Sequence, residues 1–73
     1  MPARFRDIKR VLVDLGFTVE PPTSGSHWKI RDQAGKLYPL PCPNGERSEI
    51  SDVYVKGLCR AYGLDLAGFR AKL

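Results

Sequence analysis

The apolar residues near the start of the chain recur with the period of an α-helix. Side chains three and four residues apart share one face of a helix. Gly16 follows the last apolar position, where a left-handed C-cap favours glycine. We therefore predict a first helix over residues 4–15, with a buried stripe formed by Phe5, Ile8, Val11, Leu12 and Leu15.

Three shorter segments are predicted as strands, over residues 17–20, 26–31 and 36–40. The first alternates apolar and polar residues, which is typical of a half-buried strand, and it ends at Pro21 because proline offers no N–H to a sheet. A tight connection ending at Gly35 brings the third segment back antiparallel to the second. Pro39 places the third strand at an edge of the sheet, where its missing N–H faces solvent.

A second helix is predicted after a proline-rich loop. Ser48 or Ser51 can cap it, and the expected buried stripe comprises Ile50, Tyr54, Leu58, Cys59 and Tyr62. Gly57 lies mid-helix at a cost of about 1 kcal/mol relative to alanine, which indicates that a neighbour passes close by. Gly63 ends this helix, and Asp65 caps a short terminal turn whose apolar residues pack onto the body.

This order of elements predicts an α+β fold of the α-β-β-β-α type. One apolar sheet face and two amphipathic helices are most economically buried as a two-layer sandwich, with a three-stranded antiparallel sheet and both helices on one face. The core face is expected to carry Trp28, Ile30, Tyr38 and Leu40. A length of 73 residues allows one domain, spanning residues 1–73.

The opposite face of the second strand holds the chain's most reactive group. Alternation along a strand places His27, the only histidine, with Lys29 and Arg31. Imidazole can give or take a proton near neutral pH, and fixed cations attract phosphate. We predict that His27 is catalytic toward RNA, with Lys29, Arg31 and Lys36 as positive charges and with backbone donors from Gly25 and Ser26.

The composition of the chain indicates which kinds of partner and which kinds of site to expect. The formal net charge of +4 favours approach to a polyanion. Cys42 and Cys59 have no spacing typical of a zinc site or a disulfide framework, so we expect no metal, no cofactor and two reduced thiols. No apolar run approaches the roughly 20 residues of a membrane span, and the chain is predicted to be cytoplasmic.

Several short motifs together resemble the HicA family, the toxin halves of HicA–HicB toxin–antitoxin pairs. The resemblance extends from about Phe5 to Phe69, and its most specific part is the Gly-Ser-His triplet at residues 25–27. The other matching pieces are the basic first helix, Gly16-Phe17, the run Pro39-Leu40-Pro41-Cys42-Pro43, and Tyr62-Gly63-Leu64.

The resemblance implies a fold like that of double-stranded RNA-binding domains and metal-independent cleavage of messenger RNA. It assigns catalysis to His27 and implies a HicB-type antitoxin as partner. Two positions depart from the family pattern: Trp28 and Asn44 stand where a histidine is often found. If a second histidine assists catalysis in the family, its absence affects the level of activity.

Two other functions are compatible with the same residues. One is a non-catalytic RNA-binding module in which His27 only contacts phosphate or a 2′-hydroxyl. The other is a purely interactive protein whose basic face binds an acidic partner chain. The residues identify no second proton-transfer group, since Ser26 and Tyr38 are expected on the other face of the sheet.

Overall fold

A computed structural model describes residues 2–73 of the chain. In chain order, its helices and strands are β1 (Ala3–Arg4), α1 (Phe5–Asp14), β2 (Thr18–Glu20), β3 (His27–Arg31), β4 (Leu37–Pro41), a short 3-10 helix (Gly45–Arg47), β5 (Glu49–Ile50), α2 (Asp52–Tyr62) and α3 (Leu66–Lys72). The three predicted strands and the two predicted helices are all present, so the α+β class is confirmed.

The main sheet is three-stranded and antiparallel, in the order β2-β3-β4. Ile30 lies opposite Val19 on one side and Tyr38 on the other, and Trp28 lies opposite Leu40. The pleat therefore brings these apolar side chains to one face, as predicted. Strand β4 is an edge strand, which confirms the interpretation of Pro39.

The hydrophobic core joins that face of the sheet to side chains from the helices. Its buried members are Phe5, Ile8, Val11, Leu12, Ile30, Leu40, Cys42, Ile50, Val55, Leu58, Cys59 and Phe69. A polar contact adds to the packing: the Tyr62 hydroxyl oxygen lies 2.9 Å from the Ile30 carbonyl oxygen and 2.7 Å from the Lys36 carbonyl oxygen, and its one proton is shared between these two acceptors. The end of α2 is thus fastened to β3 and to the connection before β4.

Helix α1 ends one residue earlier than predicted, and Leu15 is 40% exposed rather than buried. Gly16 has φ +94°, so the chain leaves the helix in a left-handed turn. The Phe17 N–H donates to the Leu12 carbonyl at 2.9 Å, and the Gly16 N–H donates to the Val13 carbonyl at 3.0 Å, which is the Schellman pattern. Phe17, not Leu15, packs against the core after this turn.

Helix α2 begins at Asp52, with Ser51 at the N-cap position. The prediction that Ile50 and Tyr54 belong to its buried stripe is therefore wrong. Ile50 lies in β5, opposite Ala3 of β1, whereas Tyr54 is 42% exposed. The apolar stripe of α2 consists of Val55, Leu58, Cys59 and Tyr62, so the last three predicted positions are confirmed. Strands of two residues are too short to show a periodic pattern.

The predicted terminal turn is a helix, α3, of seven residues. The Asp65 side chain accepts a hydrogen bond from the Gly68 N–H at 2.9 Å, so the predicted cap is confirmed. Phe69 is buried. The C-terminal residues therefore contribute to the single core.

Gly57 in α2 is required by a close approach of Tyr38. A Cβ atom at this position would lie 2.7 Å from the Tyr38 hydroxyl oxygen. We expect Gly57→Ala to destabilise the domain by about 1 kcal/mol, because the strain exceeds the helix-propensity gain. In a Tyr38→Phe background, the same change should become neutral or stabilising. Urea unfolding of the four proteins in this cycle measures the coupling, and strictly additive effects would contradict it.

Both cysteines are free and buried. Burial raises the pKa of Cys42 to about 11, and burial also raises the pKa of Cys59. Since the thiols are protonated more readily in the folded state, their contribution to stability is full below pH 9 and declines as pH rises toward 11. We expect native protein to react with a thiol reagent only on unfolding. Rapid labelling of folded protein at pH 8 would contradict this.

Candidate functional site

His27 is the first residue of the central strand and its side chain is exposed. The strand starts there because Gly25, with φ +77°, turns the chain, and the Ser26 carbonyl accepts the Cys42 N–H at 2.8 Å. His27 then lies opposite Pro41 of β4. In residues 2–73, no side-chain hydrogen bond or ion pair involves the imidazole. Both ring nitrogens are therefore accessible to a ligand.

We define the open face as the side of the sheet bearing His27, Lys29 and Arg31. The register sets Lys29 between Glu20 and Pro39, and it sets Arg31 between Thr18 and Leu37. All members of the buried core lie elsewhere in the described chain. The predicted separation of these three residues from the core face is thus confirmed.

The open face is less basic than predicted. Glu20 accepts a hydrogen bond from the Arg31 Nε at 3.2 Å, which offsets the charge of Arg31. The charge of Lys29 is closer to His27 than that of Arg31, because Lys29 is two positions from His27 along the strand and Arg31 is four positions away. Leu37, Pro39 and Pro41 add apolar surface on the β4 side. The face therefore offers one imidazole and one lysine without an ion pair among residues 2–73.

Lys36 is not brought to the open face. Its Nζ donates to the Ala61 carbonyl at 2.6 Å and lies 5.8 Å from the centre of the Tyr62 ring. Both partners belong to α2, and Lys36 precedes β4 at the end of the sheet opposite His27. Its charge stabilises the end of α2, where helix carbonyls attract cations. The structure separates Lys36 from the other predicted site residues.

Trp28 belongs to the core side of β3. Its ring centre is 4.9 Å from that of Phe5, and Lys9 Nζ lies 5.4 Å from the Trp28 ring centre. Lys9 also reaches Glu46 at 3.5 Å. Lys9 was not predictable as a neighbour of the site, because a helix lysine that lies off the apolar stripe gives no sequence signal of its tertiary contacts.

Gly25, Ser26 and Asn44 lie at the same end of the sheet as His27. Gly25 is exposed, and nothing lies within 4 Å of the position of a Cβ atom there. The Asn44 N–H donates to the Ser48 hydroxyl oxygen at 2.9 Å, and Asn44 follows Pro41 by three residues. Gly25 and Ser26 directly precede His27 and are small, which leaves room for a polymer to approach the imidazole.

The geometry suits proton transfer and contact with an anion at an exposed strand. No group of three or more potential metal ligands occurs among residues 2–73. In the same part of the chain, no helix is both long enough and apolar enough to cross a membrane.

On the open face, the fixed positive charge nearest to His27 along the strand is that of Lys29.

Comparisons with models of known protein families, with curated proteins and with solved structures found no match for this chain.

Proposed function

We propose that this chain is a metal-independent endoribonuclease of the HicA type, acting on messenger RNA through His27. The observation that carries the proposal is the exposed imidazole at the start of β3, on the open face with Lys29. The resemblance at the Gly-Ser-His triplet supports the same assignment. The proposal includes a two-layer, double-stranded RNA-binding-domain-like arrangement with both predicted helices on one face.

Cleavage of RNA without a metal can use the substrate's 2′-hydroxyl as the nucleophile. The oxygen attacks the adjacent phosphorus, the bond to the 5′ oxygen breaks, and a 2′,3′-cyclic phosphate and a 5′-hydroxyl remain. His27 takes the proton of the nucleophile or gives one to the leaving oxygen. Lys29 stabilises the charge that develops on the phosphate oxygens. Gly25 and Ser26 lie where backbone N–H groups can approach a phosphate.

The second proton-transfer step is assigned to water or to Lys29. Alternation along the strand places Ser26 on the same side as Trp28, and the Tyr38 pKa is raised by burial and by the nearby Tyr54. Tyr38 also lies on the core side. A site with one imidazole and no second acid in its surroundings fits a slow nuclease better than a fast one.

A second function is favoured by the isolation of the imidazole. No side-chain hydrogen bond within residues 2–73 orients the His27 ring, whereas a general base is often held by another group. A non-catalytic RNA-binding module needs no such orientation. In that case His27 contributes a contact to the RNA and the strand is not cut.

For the partner, we propose an acidic protein of the HicB antitoxin type that covers the open face in the cytoplasm. The formal charge of +4 and the family resemblance support this. If the charged surface served only to bind such a chain, the protein would bind its partner tightly and show no affinity for RNA.

Induced expression in a bacterial host tests the proposed function. We expect the native chain to arrest growth and fragment transcripts, His27→Ala to do neither, and Lys56→Ala, an exposed change on α2, to behave like the native chain. Co-expression with the product of an adjacent gene should restore growth. Equal toxicity of the native chain and His27→Ala would remove the catalytic role of His27, and intact transcripts with RNA still bound would favour the binding module.

A further inference from the structure

Three arginines surround a cavity at the start of α1. Arg4 of β1, Arg6 of the first helical turn and Arg47 of the 3-10 helix line this cavity with Glu49 of β5, and its volume is about 250 Å³. Arg4 and Glu49 lie opposite each other in the β1-β5 pair. All four residues are exposed. We call Arg4, Arg6 and Arg47 the arginine cluster.

The charges of the arginine cluster are only partly balanced by carboxylates of residues 2–73. The ion pairs found in residues 2–73 use Lys9, Arg10, Arg31 and Arg70 as their cations, and none uses an arginine of the cluster. Glu49 is the one carboxylate that lines the cavity. Three guanidinium groups and one carboxylate leave an excess of positive charge around a space large enough for an anion.

The position of Arg4 and Arg6 at the N-terminal end of α1 makes this excess of positive charge more unfavourable. Arg4 is at the N-cap of α1 and makes no capping hydrogen bond, and Arg6 is in the first turn. The N-terminal end of a helix carries partial positive charge, so cations there are unfavourable unless an anion is bound. The acidic residue of this turn, Asp7, is 3.9 Å from Arg10 and is directed to a different partner.

Guanidinium groups match the geometry of a phosphate group. Each can donate two parallel N–H bonds to phosphate oxygens, and its planar charge is less strongly hydrated than that of lysine. The cluster comes from two separate segments, residues 4–6 and the 3-10 helix, that are joined by a short contact. In particular, the Phe5 N–H, between Arg4 and Arg6, donates at 2.8 Å to the carbonyl of Ser48, which follows Arg47.

The arginine cluster is connected to the His27 end of β3. The ring of Phe5, the residue between Arg4 and Arg6, packs 4.9 Å from the ring of Trp28, the residue after His27. The far end of α1 lies instead beside the start of β2, since Phe17 donates to Leu12. Helix α1 therefore presents its arginine-bearing end at the same end of the sheet as the imidazole.

We infer that Arg4, Arg6 and Arg47 form a phosphate-binding site that holds the backbone of the RNA strand a few nucleotides away from the bond at His27. The identity of the polyanion rests on the proposed function. This site provides affinity for the RNA and fixes the position of the strand relative to His27. The open face provides little of either, because Glu20 offsets the charge of Arg31. Arg4, Arg6 and Arg47 are positioning residues that do not act on the reacting atoms.

The test measures binding of a fluorescein-labelled, 2′-O-methyl RNA 12-mer, which cannot be cleaved, at several salt concentrations. The variant is Arg4→Gln/Arg6→Gln/Arg47→Gln. Its matched control, Lys56→Gln/Arg60→Gln/Lys72→Gln, removes the same number of exposed positive charges from α2 and α3. We expect the arginine variant to bind at least about tenfold more weakly at 0.1 M salt, with a salt slope smaller by about 2, since each lost phosphate contact lowers it by about 0.7.

Three further measurements keep the inference falsifiable. The variant Arg4→Lys/Arg6→Lys/Arg47→Lys retains the charge and should recover most of the salt slope. Thermal unfolding confirms that all variants are folded. Equal losses of affinity in the arginine variant and its control would show a net-charge effect alone and would overturn the site. Displacement of the RNA by inorganic phosphate at micromolar concentration, at constant ionic strength, would instead indicate a site for free phosphate compounds and would overturn its assignment to RNA.

Cleavage assays separate this inference from the proposed function. In the arginine variant, the KM for RNA should rise while the rate at saturating RNA stays within about threefold of the native rate, because no reacting atom is touched. If the native chain cleaves no RNA, the proposed function fails, and the binding comparison still decides whether the arginine cluster is a phosphate site. A fall in the saturated rate with unchanged affinity would contradict the positioning role.

Discussion

Purified His27→Ala is expected to cleave RNA about 10²- to 10⁴-fold more slowly than the native chain, the range typical for loss of a general acid or base. The side chain is exposed and has no side-chain hydrogen bond in the described part of the chain. Its removal should therefore change the free energy of unfolding by no more than about 0.5 kcal/mol. The measurement is the first-order rate at saturating RNA, in buffer containing a metal chelator.

Two controls keep this result specific to the imidazole. Lys56→Ala removes an exposed charge on α2 and should leave the rate unchanged. Lys29→Ala should lower the rate by less than His27→Ala, because it removes stabilising charge and leaves the proton transfer by His27 in place. A His27→Ala protein that is folded, binds RNA normally and cleaves at the native rate would contradict the assignment.

Phe5→Ala is expected to lower the free energy of unfolding by about 3–5 kcal/mol, the usual cost of deleting a buried aromatic ring. Phe5 is fully buried, packs against Trp28 and donates its N–H to Ser48. A domain of this size has a total stability of roughly 4–11 kcal/mol. The change should therefore remove at least about a quarter of the stability of the domain.

Urea unfolding followed by circular dichroism measures this effect. Val13→Ala is the matched control in the same helix, because Val13 is 52% exposed and its truncation should cost no more than about 0.5 kcal/mol. Similar midpoints for Phe5→Ala and Val13→Ala would show that Phe5 does not contribute to the core as described. Phe5→Leu should lie between the two, since it keeps much of the buried volume.

Much of the fold is predictable from local pattern. The stripe of α1 apart from Leu15, the alternation in β3, and the prolines that end β2 and mark β4 depend on patterns within a few residues, and these were confirmed. The phase of α2 was not predictable, because Ile50 and Tyr54 fit a helical stripe as well as Val55 does. Pairing of β1 with β5 fixes Ile50 in a strand, and it depends on residues more than forty positions apart.

Of the candidate site, only the features that depend on strand β3 alone were predictable from the sequence. Alternation correctly separated His27, Lys29 and Arg31 from Trp28 and Ile30. Glu20, which offsets the charge of Arg31, lies on the neighbouring strand. The Lys36 side chain is directed away from the open face because its Nζ donates to the Ala61 carbonyl of α2. The arginine cluster is assembled from two segments more than forty positions apart, residues 4–6 and the 3-10 helix. Such contacts arise from tertiary packing, and charge along the sequence does not reveal them.

The most direct test of the central claim compares cleavage of an RNA oligonucleotide with cleavage of the same sequence carrying 2′-deoxy sugars, by the native chain and by His27→Ala in the presence of a chelator. The proposed function predicts that the native chain cuts only the RNA, leaving 2′,3′-cyclic phosphate ends, and that His27→Ala binds both strands, cuts the RNA about 10²- to 10⁴-fold more slowly and does not cut the deoxy strand. Cleavage of the deoxy strand, or cyclic phosphate products from His27→Ala at the native rate, would contradict it.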